Sequence, residues 1–177
     1  MQAMLEFACK NLTDTFKASR TIIWLVVGDG LRAIESFPTD KKEQLSGLTL
    51  SSIESMTIVM AFLSRFPNES GTGVFILPEE ASPKTIYSNS EVADKMAFES
   101  QILAQLRWRG IFAGFIDIQS DQTRVWSEPE LKCLQEVSIA LSVLVGQIRD
   151  ASQLAADLTD LKAAQLAGTA ILSTEEN

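Results

Sequence analysis

Histidine is absent from this chain of 177 residues. Without an imidazole the protein has no Ser-His-Asp or Cys-His nucleophile pair, no histidine ligand for haem or zinc, and no histidine for a phosphorelay. The most common enzyme chemistries are therefore excluded. We expect a protein that is not an enzyme, with no catalytic residues, no metal site and no cofactor.

Cysteine is scarce as well, since Cys9 and Cys133 are the two thiols of the sequence. Each falls in a segment predicted to be an amphipathic helix, which is typical of a small buried side chain in a reducing compartment. A disulfide between them would require a short distance between their Cα atoms. Isolated thiols of this kind favour a cytoplasmic protein.

Positive charge and long apolar runs are both lacking. The 15 Lys and Arg residues are outnumbered by 23 Asp and Glu residues, which gives a formal net charge of −8. Because nucleic-acid binding begins with cations that neutralise phosphates, we expect no nucleic-acid partner. The longest strongly apolar run, Thr21 to Val27, is too short to cross a bilayer, and the N-terminus carries Glu6 and Lys10 in place of a signal-peptide pattern. We therefore expect no membrane insertion.

Hydrophobic residues make up 46% of the chain, enough to bury the core of one domain. Apolar residues at helical spacing predict an amphipathic helix from Gln2 to Lys17. Two runs rich in β-branched residues, Ser19 to Val27 and Leu31 to Phe37, flank the turn Gly28-Asp29-Gly30. This pattern predicts a β-hairpin.

The middle of the chain is predicted to hold a second helix and a short strand. The helix runs from Thr49 to Arg65, with Ser51 or Ser52 as its cap. Its apolar side is predicted to carry Ile53, Met56, Met60 and Leu63, with Ile58 and Phe62 close by. A short central strand is expected from Val74 to Leu77, and a capped helical turn at residues 92–96.

A second hairpin and a long helix organise the second half of the chain. Strands are predicted from Gln101 to Arg107 and from Ile111 to Gln119, joined by the turn Trp108-Arg109-Gly110. The segment Ser127-Glu-Pro-Glu130 has the spacing of a capping box, with proline in the first turn. It predicts the start of a helix.

This last helix is predicted to carry a long apolar stripe. Its inward residues are Leu131, Leu134, Val137, Leu141, Leu144, Val145 and Ile148. The same spacing continues through Leu154, Leu158, Leu161 and Gln165. A continuous helix from Ser127 to Leu166 would be about 60 Å long, so its end must leave the domain or fold back.

The order of the predicted elements has no βαβ alternation. Two antiparallel hairpins with helices on one face predict an α+β fold, with long amphipathic helices at both ends. We expect a single domain over residues 1–172, terminal helices included, and a disordered tail over residues 173–177.

The stretch from Ser100 to Ile148 resembles the closing half of a GAF domain. Ser100 opens a strand, Gly110 ends a turn, Gly114 sits in the last strand, and Ser127 caps the closing helix, as in that family. Trp126 before the cap is similar to the phytochrome-related GAF domains of cyanobacteria. The resemblance implies a sensory or regulatory domain in signal transduction, and suggests a cyanobacterial, photosynthesis-related setting.

The sequence departs from the family where its chemistry would lie. Bilin-binding members attach the chromophore through a cysteine, commonly followed by histidine, between the central strand and the strand placed here at Gln101. Neither residue occurs between Val74 and Ser100, so we expect no covalent bilin. The Asn-Lys-Phe-Asp-Glu motif of cyclic-nucleotide-binding members is also absent, as are the clustered cysteines of free-methionine-sulfoxide reductases.

Several residues are candidates for a binding site, and each has a plainer alternative. An apolar pocket for a flat ligand is predicted from Trp24, Phe75, Phe112 and Phe115; such residues more often form core. Arg107 and Arg109 beside Trp108 have the chemistry to hold a carboxylate or phosphate, against the alternative of a solvated turn. The acidic residues Glu79, Glu80, Asp117 and Asp121 are scattered, so we interpret them as surface charge.

The terminal helices carry apolar stripes longer than one domain requires. The candidate dimer or partner surface consists of Leu5, Leu12, Leu141, Ile148 and Leu158. In related domains the terminal helices pair across a dimer, so a homodimer is expected. Because no output domain follows within this sequence, we expect a regulatory or scaffolding module that acts through self-association and contact with another protein. The alternative is a sensor that binds a small molecule non-covalently between sheet and helices.

Overall fold

An antiparallel sheet forms the centre of the protein. The computed structural model describes residues 2–38, 45–65, 73–76 and 98–175. Within them the helices are α1 (Gln2–Phe16), α2 (Ser52–Arg65) and α3 (Glu128–Glu175). The strands are β1 (Arg20–Val27), β2 (Gly30–Phe37), β3 (Thr49–Leu50), β4 (Val74–Ile76), β5 (Ser100–Trp108) and β6 (Ile111–Ser120). Their order in the sheet is β3-β2-β1-β6-β5-β4.

Both predicted hairpins are present, and they lie side by side. β1 pairs with β2 and β5 pairs with β6, while β1 and β6 join the two hairpins through pairs such as Ile22 with Asp117. The strand predicted from Val74 is found as β4, but its predicted central position is wrong. β4 pairs with β5 at one end of the described sheet. Sequence pattern identifies a strand of this length but does not reveal its neighbours.

One hydrophobic cluster lies on each face of the sheet. On one face α1 and α3 cover the strands, with Leu5, Cys9, Leu134 and Val145 in a single buried cluster. The α+β class and the long terminal helices on one face are therefore confirmed. α2 lies on the opposite face, because its Ile58 belongs to the hydrophobic cluster there.

Capping boxes begin both of the later helices. The backbone N–H of Ser127 donates to Glu130 over 2.7 Å, and its hydroxyl donates to the same carboxylate over 2.8 Å. Ser51 and Glu54 repeat the arrangement at α2, where the Ser51 N–H donates to Glu54 over 2.9 Å. Each pair satisfies backbone donors that the first helical turn leaves open. Both predicted helix starts are confirmed, with Ser51 as the cap of α2.

The predicted apolar side of α2 is wrong where the structure describes it. Met56 is 63% exposed and Met60 is 55% exposed, while Ile58 is buried. The buried side also holds Ser55, whose hydroxyl accepts the N–H of Leu31 over 2.9 Å. This contact between helix and strand, which no helical periodicity encodes, sets the rotation of α2. The side chains of Ile53, Phe62 and Leu63, and the helical turn expected at residues 92–96, lie outside the described residues.

α3 is a single helix of 48 residues, about 72 Å long at the usual rise. Its first half packs on β5 and β6, and every side chain described from Ala151 to Gln165 is exposed. Of the two predicted alternatives, that the helix leaves the domain or folds back, the structure shows the first. It continues through Leu166 to Glu175, so the segment expected as a tail from Ser173 begins inside the helix.

By length and composition alone, α3 is also apolar enough over Glu128–Gln165 to cross a membrane. A third of its most apolar window is buried inside the domain, and a single helix that meets this criterion is weak evidence for a membrane span.

The two cysteines are free thiols. Cys9 is fully buried in the cluster beneath α1, and Cys133 is half-buried in α3. Burial, and next to it the negative charge of Glu35, raises the pKa of the Cys9 thiol far above its ordinary value. Cys9 therefore behaves as a small apolar core residue, as its helical position predicts.

Candidate functional site

Three of the four predicted pocket residues lie together. Trp24 and Phe115 are fully buried and stacked, with ring centroids 5.9 Å apart and planes 16° from parallel. Phe112 is partly buried against the same cluster, on the face of the sheet opposite α1 and α3. The side chain of Phe75 lies outside the described residues. The aromatic residues are thus part of the hydrophobic core, as the alternative to a pocket predicts.

A buried carboxylate adjoins this aromatic layer. Asp117 is fully buried and accepts hydrogen bonds from the side-chain amides of Gln101, over 2.5 Å, and Gln119, over 2.8 Å. Its cross-strand neighbours Ile22 and Leu103 belong to the same cluster as Trp24, which places Asp117 on the aromatic face. Two charge-assisted hydrogen bonds offset part of the cost of burying this charge.

The interpretation of Asp117 as surface charge is therefore wrong. Alternation along β6 already contained the signal, because Phe115, Asp117 and Gln119 are spaced two apart and share one face. The side-chain carbonyl of the neighbouring Gln101 is also buried, and has no hydrogen-bond partner among the residues that the structure describes. The aromatic face thus combines flat apolar walls with a cluster of buried polar atoms.

The turn of the second hairpin contacts α3. The indole N–H of Trp108 donates to the carboxylate of Asp150 over 3.3 Å, and the guanidinium of Arg109 forms an ion pair with it over 3.0 Å. The guanidinium also lies 5.5 Å from the Trp108 ring centroid. The arginine at the turn is therefore engaged with the protein's own carboxylate, at the point where α3 leaves the domain.

A second junction, which sequence reasoning missed, is built around Arg124. Its guanidinium donates to the carbonyl of Phe16 at the end of α1 and to the carboxylate of Glu130 at the start of α3. It also lies 4.1 Å from the ring centroid of Trp126, which packs on Phe16 with ring centroids 6.2 Å apart. One arginine thus joins both terminal helices. A lone arginine in a polar loop carries no sequence signal of this role.

A cavity of about 430 Å³ adjoins this junction. It is lined by Thr15, Phe16, Lys17, Ser120, Gln122, Arg124 and Glu130. Partial burial raises the pKa of Glu130, but hydrogen bonds from Ser127 and the positive charge of Arg124 outweigh it and hold the pKa below its ordinary value. The Glu130 carboxylate is already engaged in these contacts. We therefore assign the cavity a structural role beside the helix junction.

Most of the predicted partner surface is wrong. Leu5, Leu12 and Leu141 are buried against the sheet, and Ile148 is half-buried at the edge of the domain. Leu158 alone of the five is exposed, at 50%. The reason is that the apolar side of each helix in the domain serves the core first. Leu5, Leu12 and Leu141 are therefore part of the core and not of an exposed surface.

The side of α3 opposite its buried residues carries an outward stripe, formed by Ile139, Val143, Leu154, Leu158 and Leu161. Each of these side chains is between 43% and 67% exposed. At 100° per residue they fall within an arc of about 100° on the helix, centred about 170° from the buried Leu134, Leu141 and Val145. The outward stripe therefore begins on the back of the domain and resumes on the exposed half of α3, with the polar residues Gln147 and Asp150 on the same arc between the two parts.

Among the described residues, no group of three or more Cys, Asp or Glu side chains is close enough to hold a metal ion. No protein-family model matches the sequence, and no curated protein matches it.

Solved structures do resemble it. The GAF domain of Thermosynechococcus elongatus PixJ in its blue-light-absorbing form superposes with a TM-score of 0.64 at 12% identity, over 89% of this chain and 92% of that chain. A far-red cyanobacteriochrome photoreceptor gives 0.63 at 16% identity, over 81% and 85%. The GAF domain of a Bacillus halodurans two-component sensor histidine kinase gives 0.58 at 16% identity, over 81% and 94%.

Identities this low show the fold alone. The fold is that of GAF domains, and the resemblance inferred from Ser100 to Ile148 is confirmed at this level.

Proposed function

We propose that this chain is a regulatory or scaffolding module of GAF fold that acts through protein contacts, including self-association, and carries no covalent chromophore. The observation that carries the proposal is the outward stripe on α3. Its exposed half leaves the domain with every side chain described from Ala151 to Gln165 in solvent.

A helix in that state favours a partner. Most helical stability in proteins comes from packing an apolar face rather than from the intrinsic helix propensity of the residues. Full burial of a leucine or valine side chain contributes about 1.5–3 kcal/mol. Burying the outward stripe against another protein surface would stabilise the helix and remove apolar area from water.

The positions of the thiols support the absence of a covalent chromophore. Cys9 lies in the cluster beneath α1, and Cys133 packs against that same cluster. The stacked Trp24 and Phe115 lie on the other face of the sheet. A ligand held against the aromatic layer would therefore be separated from both sulfurs by the sheet itself. The absence of histidine throughout the sequence supports a role without catalysis.

Native mass measurement of the full chain tests the proposal. The wild type is expected to form dimers, and Leu158→Glu to weaken them by placing a charge in the outward stripe. Ala156→Glu is the matched control, since Ala156 is exposed and lies on the opposite side of the helix. A wild type that stays monomeric at concentrations of about 100 µM has a free energy of dimerisation weaker than about −5.5 kcal/mol. This result would contradict self-association.

A second candidate is a sensor that binds a small molecule non-covalently. It is favoured by the aromatic layer of Trp24 and Phe115 beside the buried carboxylate of Asp117 and the buried carbonyl of Gln101. Flat apolar walls with a few polar groups are the usual composition of a ligand pocket. An absorption spectrum and a native mass of the purified protein decide between the candidates. A visible band, or a retained mass that denaturation releases, would favour the sensor; a bare polypeptide mass from the native host would count against it.

A further inference from the structure

We propose that the turn between β5 and β6 is a binding site for an aspartate or glutamate side chain of a partner protein, and that Asp150 of the chain itself occupies this site when no partner is bound. Neither the site nor its occupant depends on the proposed self-association. Three observations carry the proposal: donors that already hold a carboxylate, a turn that other contacts keep in shape, and an apolar side chain exposed beside it.

The turn presents two donors to one carboxylate. The indole N–H of Trp108 lies 3.4 Å and 3.3 Å from the two carboxylate oxygens of Asp150, and the Arg109 guanidinium lies 3.0 Å from one of them. An indole and a guanidinium side by side match a carboxylate, which offers two acceptor oxygens in one plane. Asp150 therefore shows which chemical group this turn accepts.

Contacts other than those of Asp150 keep the turn in shape. The Trp108 ring lies against Gly146, where even a Cβ atom would approach to 2.0 Å. The Arg107 guanidinium donates to the carbonyl of Gly110 over 2.6 Å. Arg109 and Gly110 both have positive φ, 51° and 79°, as a tight two-residue hairpin turn requires. We therefore expect both donors to stay in place when the carboxylate leaves.

The pair formed with Asp150 is open to competition. The side chain of Arg109 is 72% exposed and that of Asp150 is 41% exposed. Ion pairs as exposed as this one are weak, because water and salt screen them. Asp150 also lies at the end of the docked half of α3, since every side chain described from Ala151 to Gln165 is exposed. A carboxylate from outside can therefore take its place without disturbing the core.

An exposed apolar side chain beside the donors favours a protein segment over a free anion. Ile111 is 64% exposed and lies directly across from Trp108 in the pair of β5 and β6. Opposite residues of neighbouring strands share one face of the sheet, so the isoleucine and the indole lie side by side. A free carboxylate or phosphate would leave Ile111 uncovered, whereas an acidic residue with an apolar neighbour covers it and binds the donors as well.

The basic residues at this end of the domain fit an acidic partner. Arg107 precedes the turn, and the exposed Arg149 directly precedes Asp150 in α3. The next acidic residues along the helix, Asp157 and Asp160, lie about 10 Å and 15 Å further along its axis, where physiological salt largely screens them. The formal net charge of the whole chain is −8, so this positive site is a local one. Local charge complementarity of this kind selects the partner.

Titration of the full chain with an acidic peptide tests the proposal. The probe is a capped hexapeptide with two glutamates between leucines, and binding is followed by the indole N–H signal of Trp108 in NMR spectra, assigned with Trp108→Phe. Asp150→Ala is expected to bind the peptide about fivefold more tightly than the wild type, because the competing carboxylate is gone. Alanine favours helix, so folding is not at stake. Asp160→Ala, which removes the same charge away from the turn, is the control and should bind as the wild type does.

A second substitution tests the donor. When Arg109→Gln is added to Asp150→Ala, the gain in affinity should disappear, because the guanidinium supplies the only charge that contacts the carboxylate in this pair. The same peptide with glutamine in place of both glutamates should bind none of the variants more tightly than it binds the wild type.

The other outcomes overturn the proposal. Equal affinity of the wild type, Asp150→Ala and Asp160→Ala contradicts it, as does a gain that survives Arg109→Gln or an absence of binding at about 10 mM peptide. Acetate or inorganic phosphate that binds as tightly as the peptide would assign the turn to a free anion and exclude the protein partner. Native mass of each variant reports self-association separately, so failure of either proposal leaves the other standing.

Discussion

The indole of Trp108 lies directly against the backbone of Gly146 in α3. A Cβ atom placed on Gly146 would come within 2.0 Å of the ring carbon Cδ2 of Trp108. The absence of a side chain at this one position therefore lets the hairpin turn rest on the helix. Four residues further along, Asp150 accepts the indole N–H, so the helix holds the turn by shape and by a hydrogen bond.

Gly146→Ala is expected to destabilise the domain by about 1–3 kcal/mol, because the new methyl group overlaps the Trp108 ring. In a Trp108→Ala background the same change should be neutral or stabilising by up to about 1 kcal/mol, since alanine favours helix more than glycine does. Urea unfolding of the wild type, the two single variants and the double variant measures the coupling free energy between positions 108 and 146. Equal effects of Gly146→Ala in both backgrounds would show that the contact contributes nothing.

Glu130→Gln is expected to make stability less dependent on pH. The folded-state pKa of Glu130 lies below its unfolded value, so its contribution is present above the unfolded pKa and is lost as the pH falls through the folded pKa. The variant should lose about 1 kcal/mol near pH 7 and differ less from the wild type below about pH 4. Unfolding curves at both pH values measure this, with the exposed Glu128→Gln in the same helical turn as control. A loss that is the same at both pH values would contradict it.

Cys9 should resist thiol reagents in the folded protein. It is fully buried, and burial raises its pKa, which leaves little of the reactive thiolate at pH 8. The half-buried Cys133 is expected to react roughly tenfold faster or more. Reaction with an aromatic disulfide reagent, followed by mass spectrometry of the labelled peptides, distinguishes the two. Both thiols should react once urea unfolds the chain. Equal rates before unfolding would show that Cys9 is not shielded in the folded protein.

Asp117→Asn should destabilise the protein by about 1–3 kcal/mol. The substitution keeps the shape of the side chain but replaces one of the two oxygens that accept the Gln101 and Gln119 amides by a second donor. Thermal unfolding measures the loss, and Asp160→Asn on the exposed half of α3 is the control for charge alone. If the second candidate function holds, the same variant also alters the affinity for the ligand; an unchanged stability would show that the carboxylate is not held as described.

Local features of the fold were predictable from the sequence. The hairpin around Gly28 and Gly30, the turn at Gly110 and the cap at Ser127 depend on residues only a few positions apart. Such features need no knowledge of distant segments, because a capping box or a tight turn is satisfied within its own stretch of chain. Even the GAF resemblance came from one continuous run of residues.

The sites were less predictable, and the errors share one cause. Helical spacing places Leu5 and Leu141 on a stripe, but it does not show what covers that stripe. The sequence pattern does not reveal the burial of Asp117, because this burial depends on amides from two positions, Gln101 on the neighbouring strand and Gln119 on its own. Arg124 carried no signal, since its partners Phe16 and Glu130 belong to different helices.

The sequence by itself determined the helices, the hairpins and the helical spacing of the leucines beyond Asp150, because these follow from periodicity and short-range hydrogen bonds. Only the tertiary structure decided which side of α3 meets the sheet and which side stays in water. That choice follows from packing: the stripe around Leu134 and Val145 completes the core shared with α1, so the opposite stripe, ending in Leu158 and Leu161, stays exposed.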